Sequence, residues 1–206
     1  MTPEFKVDYI LTIPPKLANV VKYKDFVRDC LTQLEPVMSL AKGEYQGNFS
    51  KSKRNGAGMI RQSNGDTYRG NFKDDKRSGA GTCMLASGAL YRGEWREDAP
   101  HGTGILYSGK NEVIEARFIN GEVSDKHPVK MLLADGQYYE GPYSNHRRHG
   151  AKGKCYYPNG DIYEGEWELD KRHAKYSKMF FIDGTMYKGQ FIDDRADGQF
   201  SIEDKS

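Results

Sequence analysis

Residues 91–104 read Tyr-Arg-Gly-Glu-Trp-Arg-Glu-Asp-Ala-Pro-His-Gly-Thr-Gly. Two elements stand out: Tyr91, Gly93 and Trp95 at every second position, then Gly102 and Gly104 eleven residues after the tyrosine. The first element returns as Tyr45-Gly47-Phe49, Tyr68-Gly70-Phe72, Tyr139-Gly141-Tyr143, Tyr163-Gly165-Trp167 and Tyr187-Gly189-Phe191, with a degenerate copy at Ile114-Ala116-Phe118. Successive copies are 23, 23, 23, 25, 24 and 24 residues apart. A fixed period of this length is the signature of a repeat architecture. The second element recurs at Gly56/Gly58 and Gly79/Gly81, and in altered form at Gly150/Gly153.

Between the motif positions the side chains are polar: Gln46, Asn48, Arg69, Asn71, Arg92, Glu94, Glu164 and Lys188 among them, with Pro142 the exception. Alternation at period two predicts a strand with tyrosine, glycine and the second aromatic on one face. The glycine is expected to leave room there for the ring of a neighbouring repeat. Before each following tyrosine stands a turn dipeptide: Asn64-Gly65, Ser87-Gly88, Asp135-Gly136, Asn159-Gly160 or Asp183-Gly184. Read as two-residue type I′ turns, these pair Leu85 with Leu90, Leu133 with Tyr138, Tyr157 with Ile162, and Phe181 with Met186. Those eight residues then form an apolar stripe on the face opposite the tyrosines. A single-layer sheet exposes such a stripe to water at a cost, so something should cover it.

The pattern resembles the MORN (membrane occupation and recognition nexus) repeat over residues 43 to about 202. The resemblance implies a mainly β fold: an elongated single-layer antiparallel sheet of about seven stacked hairpins. It also implies a scaffold or adaptor, without catalytic activity, that binds protein partners in a larger assembly of the cilium, axoneme or cytoskeleton.

All 23 glycines lie at Gly43 or later, and four of the eight prolines lie before it. This shift divides the chain into an N-terminal segment, 1–42, and the repeat sheet, 43–206. Within the first part, Leu17, Val20, Val21, Phe26, Val27, Cys30, Leu31 and Leu34 follow helical spacing, with Pro14-Pro15 before them and Pro36 expected to end or kink the helix. The amphipathic helix either packs on the sheet or docks a partner through residues such as Val20, Val27 and Leu31.

Lys+Arg 31 against Asp+Glu 29 gives a net charge of +2. That balance argues against nucleic acid as a partner. No apolar run is long enough for a transmembrane segment, and the first 15 residues read as neither a signal nor a transit peptide. Cys30, Cys83 and Cys155 have no motif spacing, which fits a reducing cytoplasm. No zinc spacing, phosphate loop or nucleophile–base set is present, so no catalytic, metal or cofactor residue is assigned. Basic residues cluster on one type of loop: Lys51, Lys53 and Arg54; Lys73, Lys76 and Arg77; Arg147 and Arg148 between His146 and His149; Lys171, Arg172 and Lys175. These form either a solvated edge that discourages strand pairing or a contact for anionic lipid, chiefly phosphoinositide headgroups. Aspartates such as Asp74, Asp75, Asp193 and Asp194 interrupt the basic row.

Overall fold

The computed structural model describes residues 18–203. The chain is mainly β, an open antiparallel arrangement of many strands with one helix near the N-terminus. It divides into two compact units, Met1–Glu122 and Val123–Ser206.

In the first unit, helix α1 (Ala18–Met38) precedes seven long strands. These are β1 (Tyr45–Ser50), β2 (Lys53–Arg61), β3 (Thr67–Lys73), β4 (Lys76–Met84), β5 (Leu90–Arg96), β6 (Ala99–Tyr107) and β7 (Val113–Ile119). Each pairs antiparallel with the next. The two-residue β8 (Glu122–Val123) falls where the chain divides.

The second unit carries β9 (Val129–Leu132), β10 (Tyr138–Gly141), β13 (Gly150–Tyr156), β14 (Ile162–Glu168), β16 (Ala174–Phe180), β17 (Met186–Ile192) and β18 (Arg195–Glu203), again in chain order. Short strands β11 (Tyr143–Ser144) and β12 (Arg147–Arg148) pair with each other, and β15 (Lys171–Arg172) pairs with β14. Pro142 separates β10 from β11 because it has no N–H to give a ladder.

The repeated aromatics form a ladder on one face of each unit. Tyr68 meets Phe72 and Trp95 edge-on, both with ring centroids 5.2 Å apart; Tyr163 meets Trp167 and Phe191, both at 5.4 Å. Edge-to-face aromatic pairs contribute roughly 0.5–1.5 kcal/mol each beyond area burial. The degenerate copy holds its place, since Tyr91 meets Phe118 at 5.1 Å, and the last tyrosine, Tyr187, stacks on Phe200 at 5.4 Å.

A bulge after the motif glycine takes Asn71 and Glu94 out of the pairing with the following strand, while they stay paired to the preceding one. The freed carbonyls accept the hydroxyls of Tyr68 (2.9 Å) and Tyr91 (3.0 Å), so an otherwise unpaired acceptor is satisfied. Most of the ladder-face glycines make room for the tyrosine of their own repeat; Gly153 instead makes room for a neighbouring repeat's ring, Trp167, as the spacing suggested. A Cβ on Gly81 would stand 2.5 Å from Tyr68 Cε2. The motif glycine and the second glycine of Gly-x-Gly together form the floor under one ring.

The turns depart from expectation in an informative way. Met84 pairs with Leu90, Leu132 with Tyr138, Tyr156 with Ile162, and Phe180 with Met186. Leu85, Leu133, Tyr157 and Phe181 therefore do not pair across the hairpins. The Gly88 N–H donates to the Leu85 carbonyl (2.9 Å) and the Leu85 N–H to the Ala89 carbonyl (2.8 Å). That is a three-residue loop, a type I turn closed by a left-handed glycine. Only the glycine has positive φ: Gly88 is at 89°, and Ser87 is not in that region.

The type I′-like turns sit at the opposite ends of the strands and, apart from Asn120-Gly121, on residues without the Asn-Gly or Asp-Gly signature. Lys51-Ser52, Asp74-Asp75, Glu97-Asp98, Asn145-His146, Leu169-Asp170 and Asp193-Asp194 all have both φ values between 47° and 72°. A side chain in this region costs about 1–2 kcal/mol per residue, so tertiary contacts must hold these turns.

At four of the six, Asp74-Asp75, Glu97-Asp98, Leu169-Asp170 and Asp193-Asp194, those contacts are a repeated latch. Asp98 Oδ1 accepts the backbone N–H of Arg77 at 2.9 Å and its Nε–H at 3.2 Å, while Arg77 Nη2 donates to the Asp98 carbonyl at 2.7 Å. The guanidinium lies 4.3 Å over the Trp95 ring. Arg54–Asp75 on Phe72, Arg148–Asp170 on Trp167 and Arg172–Asp194 on Phe191 repeat the arrangement. The pairing holds the Asp75 carboxyl below the usual carboxylate range, chiefly through the Arg54 N–H. At the third position the latch is missing: Pro100 stands for the arginine and Gly121 for the aspartate, leaving only Gly121 N–H to Pro100 O at 2.9 Å.

Arg77→Ala and Asp98→Ala are each expected to destabilise by about 1–2 kcal/mol, from lost charge-assisted bonds and the stacked cation. A double-mutant cycle in denaturant should give a coupling of about 1 kcal/mol. Coupling below about 0.3 kcal/mol would reduce the pair to an ordinary surface contact.

Candidate interaction face

The face opposite the ladder is where the two units differ. In the first, α1 lies across it. Tyr23, Phe26, Val27, Cys30, Leu34 and Val37 are buried, a spacing of three, one, three, four and three that marks one helical side. Under the helix, Thr82 Oγ1 donates to Gln33 Oε1 at 2.9 Å, Arg69 Nη1 to the Gln33 carbonyl at 3.2 Å, and Lys22 pairs with Glu115 at 2.5 Å. Arg61 Nη1 donates to the carbonyls of Met38 (2.8 Å) and Leu40 (3.1 Å), placing a cation at the negative end of the helix.

Helix α1 is thus packed in cis. Pro36 does not end it; the helix runs on to Met38. Val27 is 4% exposed and turned to the sheet, Leu31 is half-buried, and the side chain of Val20 lies outside the described residues. Burial raises the Cys30 thiol to about 12 and the Cys83 and Cys155 thiols to about 11. All three are free and buried, and a thiol kept protonated by burial is a poor nucleophile.

In the second unit the same face carries a stripe across six strands: Leu132, Tyr138, Tyr156, Ile162, Phe180 and Met186. Leu132 and Tyr138 are buried; the other four are half-buried. Beside the stripe an open trough of about 920 Å³ is lined by Lys154, Glu164, Tyr176, Lys178, Lys188 and Ser201. Tyr176 is 80% exposed. Lys154 pairs with Glu164 at 2.7 Å and Lys188 with Glu203 at 2.6 Å.

The remaining candidates are dispersed. Leu90 is buried in the first unit, and Leu85 and Phe181 are partly exposed at loop ends, while Leu133 and Tyr157 are half-buried there. The basic loop residues do share one type of strand end, but most are engaged. Arg54, Arg77, Arg148 and Arg172 are latched; Lys53, Lys76 and Lys171 pair with Asp74, Glu97 and Asp193. Lys51 and Arg147 are exposed. The latch escaped a reading of composition, yet it has a signal: an arginine nine residues after one repeat tyrosine and an aspartate seven after the next.

The profile of the MORN repeat family matches residues 45–67, 68–89, 91–112, 139–162 and 163–175, about half of the chain. The chain is a MORN-repeat protein. The copies at Ile114 and Tyr187 lie outside those matches, yet both continue the aromatic ladder. A search of the curated proteins returned no match.

Among solved structures, this MORN-repeat protein is similar to the TCP domain of SAS-4 (dCPAP) from Drosophila melanogaster, solved with a proline-rich motif of Ana2 (dSTIL). The identity is 16% and the TM-score 0.43, covering 72% of this chain and 84% of that one. It is also similar to BamB from Moraxella catarrhalis, at 8% identity and a TM-score of 0.21, covering 74% and 75% of the two chains. MORN repeats are non-enzymatic modules for protein or membrane interaction. No helix among the described residues is long and apolar enough to cross a membrane.

Proposed function

We propose that this MORN-repeat protein is a scaffold or adaptor subunit that holds protein partners in a ciliary or cytoskeletal assembly. One observation carries the reading: the face that α1 fills in the first unit is an open, partly apolar trough in the second. The polar groups of the ladder face are spent internally, on tyrosine-to-carbonyl bonds and Arg–Asp latches. A partner therefore finds its contacts on the opposite face.

The second reading, a peripheral module for acidic phospholipids, rests on Lys51, Arg147 and the paired lysines of the loop edge. Ion pairing with Asp74, Asp193 and Glu97 lowers the positive potential there. Affinity purification of the tagged full chain from ciliated cells should return cytoskeletal or axonemal proteins in near-stoichiometric amounts. Vesicles with and without phosphoinositide should leave the chain in the supernatant at low and high salt. Salt-sensitive co-sedimentation without protein partners would replace the scaffold reading by the membrane one.

A further inference from the structure

The two units place corresponding repeat positions under different covers. In the first unit, the face beneath α1 presents Arg69, Thr82, Arg92, Ile105 and Glu115 along successive strands. The corresponding positions in the second are Glu140, Lys154, Glu164, Lys178 and Lys188. Where the first unit has Arg69 and Arg92, the second has Glu140 and Glu164. Where the first has Thr82, Ile105 and Glu115, the second has Lys154, Lys178 and Lys188, so the positive charge is moved onto the strands of Lys178 and Lys188. Lys178 has no ion-pair partner among the described residues, and Lys188 reaches only Glu203 at the edge strand. Tyr176 stands beside them on the trough, 80% exposed.

Resting on the scaffold reading, we propose that the trough of the second unit is a docking site for an amphipathic α-helix of a partner protein, with acidic residues along one flank. The first unit shows the shape of the occupant, because its own α1 lies on this face with one apolar side down. The lysines set the charge of the flank: an acidic side chain over Lys178 and Lys188 is paired, whereas a basic one is repelled. Tyr176 supplies the aromatic anchor, the residue type that concentrates binding energy at interfaces.

The probe is a fluorescein-labelled peptide copying residues 18–38 with Lys22→Glu, Lys24→Glu and Arg28→Glu, titrated with the full chain by anisotropy. Saturable binding is expected, at least tenfold tighter than for the peptide with the native sequence. Lys178→Glu combined with Lys188→Glu should weaken it tenfold or more, and Tyr176→Asp should do so without loss of the folded far-UV spectrum. Absence of binding, or binding unchanged by these substitutions, overturns the proposal. So does binding that appears only after residues 1–17 are deleted, which would make that segment the natural occupant. If the peptide fails while cytoskeletal partners are still captured and survive Lys178→Glu, the trough is wrong and the scaffold reading stands. If the peptide binds and no such partner is found, the cellular reading falls alone.

Discussion

Gly81→Ala should destabilise the first unit by about 2–3 kcal/mol, a large effect for one methyl group. The new Cβ would stand 2.5 Å from Tyr68 Cε2 and 2.6 Å from Cζ, inside any real carbon contact. The ring has no free direction to give. Its hydroxyl is tied to Asn71 O at 2.9 Å, and its faces and edge are held by Phe72 and Trp95. Moving it sacrifices a buried hydrogen bond of about 0.5–1.5 kcal/mol and two aromatic pairs of roughly 0.5–1.5 kcal/mol each. Leaving it in place costs the overpacking strain, about 1–3 kcal/mol. Denaturant titration measures the loss. Tyr68→Leu in the Gly81→Ala background should recover part of it, because the shorter side chain clears the methyl. A Gly81→Ala protein within about 0.5 kcal/mol of the parent would mean that the ring is not held as described.

Leu34→Asp should release α1 while the ladder stays folded. Leu34 is fully buried, and an unpaired carboxylate there costs several kcal/mol. The helix has little to hold it once detached, since a 21-residue segment in water is only marginally helical. Two cysteines separate local release from global unfolding. Cys30 is on the buried side of α1, and Cys83 lies on the ladder face opposite Tyr68 and Tyr91. Release returns the Cys30 thiol from about 12 toward the ordinary value near 8.5. Its alkylation at pH 8 should therefore quicken by at least about 100-fold, with Cys83 unchanged. Equal acceleration at both sites would show that α1 and the sheet unfold as one.

The strands, their order and the aromatic ladder were legible because period-two alternation and the 23–24-residue step are local properties of the chain. The buried side of α1 was legible for the same reason at Phe26, Val27, Cys30 and Leu34. Tyr23 and Val37 joined them, and Val21, 56% exposed, did not. The hairpin register was not legible. Asn64-Gly65 and its equivalents satisfy a type I′ turn locally, but the chain uses their glycine alone in a three-residue loop. A one-residue shift moves a side chain to the other face, and so Leu132, Tyr156 and Phe180 replace Leu133, Tyr157 and Phe181 in the stripe. The latched type I′ turns are built from Asp74-Asp75, Glu97-Asp98, Leu169-Asp170 and Asp193-Asp194, whose conformation is imposed from outside the turn. Arg54, Arg77, Arg148 and Arg172 supply that constraint at Asp75, Asp98, Asp170 and Asp194. Their charge read either as a solvated edge or as a contact for an anion, whereas at the latches the anions are in the chain itself.

What occupies the second unit's open face can be read with a benzophenone amino acid at position 176 of the full chain, activated by light in ciliated cells. A single protein adduct is expected, its crosslinked peptide mapping to an acidic amphipathic helix, and Lys178→Glu should abolish it. Adducts confined to lipid, or to residues 1–17 of this chain, or no adduct at all, would contradict the assignment of that face to a protein partner.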